Sequence, residues 1–103
     1  MTDSEKEFIR IGKELTTEQS QMFGKLCFKT GKKAYISFFQ DCMVFKLKGI
    51  AHSEALSLDK TLLFDPSGKG RAMKEWVQVP FDYLDKWEYF AQCALDYVND
   101  LNK

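Results

Sequence analysis

The sequence has one histidine, two prolines and no excess of charge of either sign, since 15 Lys and Arg balance 15 Asp and Glu over 103 residues. A catalytic metal site usually needs about three protein ligands, and one His without clustered carboxylates does not supply them. A hydrolytic triad would need His52 beside an activated nucleophile, and no G-x-S-x-G elbow offers one. Charge neutrality argues against a free nucleic-acid binder, because neutralising phosphates takes a basic excess. It also leaves little colloidal repulsion between copies, which suits self-association. No apolar run approaches the roughly 18 residues a membrane span needs. The polar start, Met1-Thr2-Asp3-Ser4-Glu5-Lys6-Glu7, does not read as a signal peptide. Cys27, Cys42 and Cys93 form no C-x-x-C pair, so neither a disulfide framework nor zinc-ligand spacing is expected. They read as buried free thiols in a reducing cytoplasm, and no cofactor is expected.

What is present is a core. Apolar residues make up 45% of the chain and aromatics 15%, nine of them Phe. That suffices for one globular domain spanning residues 1–103, which should bury roughly two-thirds of the surface its unfolded chain exposes. Ser4 and Glu7 form a capping-box pattern, and Phe8, Ile11, Gly12 and Leu15 follow at helical spacing, giving a helix over 4–15. From Ser20 the period changes. Met22, Leu26 and Phe28 alternate with Lys25 and Lys29 in a strand that ends at Thr30-Gly31-Lys32. Residues 34–39 and 43–48 continue as strands, with Gln40-Asp41 between them, and the three read as an antiparallel meander.

After Gly49, residues 51–58 read as a short helix with Ser53 as a candidate N-cap. Leu62-Leu63-Phe64 is a brief strand. It runs into Asp65-Pro66-Ser67-Gly68-Lys69-Gly70-Arg71, whose Pro and Gly suit a tight reversal. Residues 72–79 form its partner, closed by Pro80. Asp82 then caps a helix whose apolar stripe is Trp87, Phe90, Ala94, Val98 and Leu101. The predicted fold class is α+β: two layers in the order α-β-β-β-α-β-β-α, an antiparallel sheet of about five strands with the helices on one face.

Three groups of residues are candidates for function. The glycines and cations of the 66–71 loop could hold an anion as a backbone nest does, with Lys69, Arg71 and Lys74 reaching phosphates. The loop joins two strands, so it is not a Walker motif. Tyr35, Phe39 and Trp76 could form a partner surface, because adjacent Phe38 and Phe39 cannot both face one side of a regular strand. The same aromatics beside Lys could stack bases. His52 could serve as a lone general base, or simply cap a helix end.

The stretch from Met22 onward resembles the N-terminal domain of the TfoX (Sxy) family. The likeness is carried by Met22-Phe23-Gly24, by Met43-Val44-Phe45-Lys46-Leu47, by the Gly68-Lys69-Gly70-Arg71 turn, and by Met73, Trp76 and Val79-Pro80 before a final helix. It implies a two-layer α+β fold like that of secretion chaperones, with no established catalysis and a regulatory role linked to DNA-uptake competence. It also implies that Gly24 allows close approach or a bulge in the first strand, and that Pro80 ends an edge strand. Gln21 stands where the family often has Arg, Lys25 and Cys27 where it has glycines, and the family's second, helical domain is absent from this sequence. The expected function is therefore a cytoplasmic, non-enzymatic binding domain whose partner is another protein or its own copy, as a homodimer. A nucleic-acid-associated regulator is the second reading, and a small enzyme using His52 or a cysteine is the third.

Overall fold

Burying that aromatic content against a sheet requires one helix layer, and the chain builds it from both ends. The computed structural model describes residues 2–22, 24–66, 68–70 and 72–102. In chain order the elements are α1 (Asp3–Glu14), β1 (Glu18–Met22), β2 (Lys25–Thr30), β3 (Lys33–Phe39), β4 (Cys42–Lys46), α2 (Gly49–Ser57), β5 (Leu62–Phe64), β6 (Met73–Pro80) and α3 (Leu84–Leu101). A 3₁₀ turn over Phe81–Tyr83 leads into α3. The fold is α+β, with one antiparallel sheet in the order β1-β2-β3-β4-β6-β5.

The sheet has six strands rather than about five. The expected first strand is a hairpin, β1 and β2, that turns at Gly24, whose φ of 74° suits glycine. Open space surrounds this glycine, so it serves a turn and not a close approach. Phe23 lies outside the described residues. β6 is interior, pairing with both β4 and β5. Pro80 stands opposite Cys42 of β4, beyond the β6 positions that β5 reaches, so its missing N–H takes nothing from β5.

The helix caps differ from the sequence expectation. Thr2 caps α1 by accepting from the Glu5 N–H at 3.3 Å. Ser4 is instead buried and donates to Asp41 Oδ1 at 2.6 Å. That bond ties α1 to the turn between β3 and β4, where Gln40 and Asp41 both hold positive φ, 49° and 63°. Two positive φ values in a two-residue hairpin loop are type I′ geometry, which suits Asp41 better than Gln40. Ser53 lies inside α2, which begins at Gly49 with no side-chain cap. Asp82 lies in the 3₁₀ turn, and α3 likewise starts uncapped, with Asp85 in its first turn.

One buried cluster joins Phe8 and Ile11 of α1, Ala55 of α2, and Trp87, Phe90, Ala94 and Val98 of α3 to Phe28, Ile36, Met43, Phe45, Val77 and Val79 of the sheet. Each large side chain removed from water contributes about 1.5–3 kcal/mol. Leu101, expected at the end of the α3 stripe, is 43% exposed. Outside the core, Arg10 joins α1 to α3 by pairing with Glu7, Glu14 and Glu88 at 2.6–2.9 Å. The hydrogen bond to Glu7, then those to Glu88 and Glu14, push its guanidinium further toward the charged form.

Gly12 is where α1 lies closest to the sheet. A Cβ at this position would stand 2.3 Å from Cδ2 of Phe28. Phe28 has no room to retreat, being 1% exposed and in edge contact with Phe8 at 5.3 Å between ring centroids. Gly12→Ala should therefore destabilise the protein. Overpacking of about 1–3 kcal/mol exceeds the roughly 1 kcal/mol that alanine returns in helix propensity. Thermal unfolding should show a Tm lowered by several degrees, and an unchanged or raised Tm would refute the close-approach account.

Candidate functional site

The order of side chains along β3 decides which aromatics can reach a partner. β2 and β3 pair in register at Phe28 with Ile36, but the next pair is Lys29 with Ala34. Tyr35 is thus the extra residue of a bulge, and a bulge turns two successive side chains toward one side. Tyr35 and Ile36 accordingly both enter the helix-side core, each 0% exposed. The Tyr35 hydroxyl meets Thr17 Oγ1 at 2.6 Å, and Thr17 Oγ1 donates to the Gly12 carbonyl at 2.9 Å. Thr17 has one proton to give, so Tyr35 is the donor in the first bond.

The partner surface expected from Tyr35, Phe39 and Trp76 is corrected by this arrangement. Tyr35 lies in the core, and Trp76 is 5% exposed on the other side of the sheet. There Val44, Phe64 and Trp76 form a second buried cluster, flanked by Met22, Ala34, Phe39 and Met73. Phe39 is half-buried, packed edge-on against Phe64 at 5.4 Å, with Lys25 Nζ over its ring at 4.9 Å. The aromatics of the helix-free face pack on one another and present no open platform.

The glycine-rich loop is also occupied. Asp65 accepts from the Gly68 N–H through Oδ1 at 3.0 Å and from the Gly70 N–H through Oδ2 at 2.8 Å. The amides that could have cradled a phosphate hold the chain's own carboxylate, which would repel a second anion. Lys69 and Lys74 are exposed, and Arg71 lies outside the described residues.

His52 is half-buried, and its Nε2 donates to the Lys74 carbonyl at 2.7 Å. That carbonyl lies within the stretch of β6 where the β5 register jumps from Val77 to Met73. The imidazole thus satisfies a backbone group freed by the irregularity. Burial pushes the thiols of Cys27, Cys42 and Cys93 up from their ordinary value, opposite to the shift that activates a nucleophile. Among the described residues no group of His, Cys, Asp and Glu could hold a metal, and no helix is long and apolar enough to cross a membrane.

Two open features bear on binding among the described residues. A cleft of about 340 Å³ between α2 and α3 is lined by Glu54, Leu58, Asp85, Lys86, Tyr89 and Phe90. Tyr89 donates to Glu54 Oε1 at 3.2 Å, and its phenol is pushed up to about 12, first by the Cys93 side chain and then by Glu54. The second feature is β1. It lies at one edge of the sheet, pairs without interruption with β2, and leaves Glu18, Gln19 and Gln21 exposed. A shallow groove of about 490 Å³ runs along it, lined by Gln19, Ser20, Gln21 and Leu26. The opposite edge is β5, three residues long and irregular in register. Short, irregular strands protect a sheet edge, whereas β1 has no Pro, Lys or bulge to do so. The polar run Glu18-Gln19-Ser20-Gln21 has no apolar alternation, which is why sequence reasoning passed over it. Its one local signal is the turn glycine that follows Met22-Phe23.

No family model matches the chain, and neither a curated protein nor a solved structure matches it.

The burial of Tyr35 sets an alkaline limit on stability. Burial raises its phenol above the ordinary value of 10.0. Between that value and the folded one, the unfolded chain has already lost the proton that the folded chain keeps. With the thiols also raised, stability is complete only below about pH 8, where the unfolded chain's thiols begin to titrate, and falls as pH rises through the folded values. Chemical denaturation across pH 8–11 should show this decline. Tyr35→Phe should cost about 1 kcal/mol at neutral pH and give a shallower decline above pH 10. An unchanged slope would show that Tyr35 does not contribute.

Proposed function

We propose that the protein is a non-enzymatic binding domain that associates with another protein chain through the β1 edge. It acts in the cytoplasm, in a regulatory role related to that of the TfoX competence regulators. The observation that carries this reading is the regular, unprotected edge of Glu18–Met22. Such an edge exposes a row of backbone donors and acceptors, and an added strand satisfies them without any specialised side chain. The TfoX-like residues support the regulatory role, since that resemblance implies binding and no catalysis. The bond from His52 to a backbone carbonyl and the raised thiols weigh against the two enzymatic candidates. The Asp65 carboxylate in the loop weighs against phosphate contact there, and so against the nucleic-acid reading.

The test is photo-crosslinking from defined positions in cells. A photoreactive residue at Gln19 or Gln21 should capture a protein, while one at Lys86, in the cleft of α2 and α3, should not. Capture from Lys86 alone, or from none of the three, would reject the edge as the binding surface. Fluorescence anisotropy with single- and double-stranded DNA should show no binding at low salt. Binding that weakens steeply with salt would replace this reading by the nucleic-acid one.

A further inference from the structure

The β1 edge carries a pattern that is complementary to itself. We propose that β1 pairs with β1 of a second copy of this chain, antiparallel and centred on Ser20, joining two sheets edge to edge. The inference rests on the strand-edge reading above and names its occupant.

The register follows from the five residues Glu18-Gln19-Ser20-Gln21-Met22. A two-fold axis at Ser20 sets Gln19 of each copy opposite Gln21 of the other, Ser20 opposite Ser20, and Glu18 opposite Met22. This is the two-fold register that uses the whole strand. Gln19 and Gln21 stand opposite Phe28 and Leu26 of β2, so they share the helix-side face and the groove along it. A primary amide both donates and accepts, so each Gln–Gln pair can hydrogen-bond across the new junction. Ser20 alternates to the other face, where two hydroxyls can pair in the same way.

Charge selects this register. Glu18 is the one charged residue of β1, and Lys29 of its own chain lies 4.0 Å away. Across the axis the two Glu18 residues stand at opposite ends of the pairing, four residues or about 13 Å apart. That exceeds the Debye length of about 8 Å at physiological salt. A slip that brought Glu18 opposite Glu18 would shorten the ladder and set like charges face to face. Zero net charge adds no long-range repulsion between copies. An edge of five residues buries less than the roughly 1,200 Å² of a stable standard interface, so the dimer is weak and depends on concentration.

Sedimentation equilibrium from low micromolar to near-millimolar protein tests this directly. Wild-type protein should pass from monomer to dimer. Gln19→Lys with Gln21→Lys sets like charges opposite each other in both amide pairs and should raise the dimer Kd about tenfold or more. Gln19→Lys with Gln21→Glu sets opposite charges in both pairs and should restore or tighten the dimer. Circular dichroism would establish that both variants, changed at exposed side chains, remain folded. A chain that stays monomeric throughout, or a dimer equally tight in both double variants, overturns the second-copy assignment. Crosslinking from Gln19 to a different protein in such a monomer would leave the strand-edge reading intact, so the two failures are distinguishable.

Discussion

The one-residue slip between β2 and β3 is the constraint on which the rest of the architecture depends. By making Tyr35 the extra residue, it carries a phenol through the sheet's alternation into the helix layer. The hydroxyl then supports a short relay: Tyr35 donates to Thr17, and Thr17 donates to the Gly12 carbonyl. This relay fixes the last turn of α1 at the point where Gly12 meets Phe28. Thr17 immediately precedes β1, so the same bonds determine where the edge strand begins. Without the slip, Tyr35 would point toward the helix-free side, and the end of α1 would lose its anchor. The other end of α1 is held by Ser4 on Asp41, which steadies a hairpin turn whose two residues both have positive φ. A buried hydroxyl there offsets backbone strain of roughly 1–3 kcal/mol per residue.

The centre of the sheet is buried on both faces, with helices on only one. Ordinarily an antiparallel sheet of this kind leaves its second face polar and wet. Here Val44, Phe64 and Trp76 are buried, and Met22, Phe39 and Met73 pack around them. Contributions from Met22 of β1 and Phe64 of β5 mean that strands from opposite edges supply this smaller cluster. The aromatics of this face are therefore spent inside the monomer, and the surface expected of Tyr35, Phe39 and Trp76 is not formed.

Much of this could be read in the sequence, and the failures have physical causes. The second and third meander strands, the pairing of 62–64 with the strand expected over 72–79 and the long final helix rest on strong apolar periodicity, and they recur within a residue or two in β3, β4, β5, β6 and α3, whereas the first meander strand divides into β1 and β2. β1 was missed because an exposed edge strand needs no apolar face, so Glu18-Gln19-Ser20-Gln21 carries no period-two signal. The bulge was missed because it depends on how two strands meet, and neither strand alone records it. The same holds for Asp65. Pro and Gly announce a turn, yet only the folded loop shows that a carboxylate already fills its amides. Ser4 illustrates the reverse error, in which a local capping pattern gave way to a tertiary bond with Asp41.

The two edges of the sheet have opposite designs, and that asymmetry directs attention from side chains to backbone. β5 is brief, breaks register after Leu63, and has Leu62 half exposed. A strand arriving there would find few aligned donors and acceptors. β1 is regular, bears one charge, and keeps that charge beside Lys29. Natural sheets usually protect such an edge with lysine, proline or a bulge. Its glutamines and serine leave the ladder open while keeping the free monomer hydrated. This combination suits reversible strand addition, because polar side chains add modest, specific cross-strand bonds without the permanence of an apolar interface. Recognition by a backbone edge needs no cofactor, activated nucleophile or basic patch. Such recognition is compatible with a chain whose histidine, buried aromatics and loop amides are engaged in holding the fold.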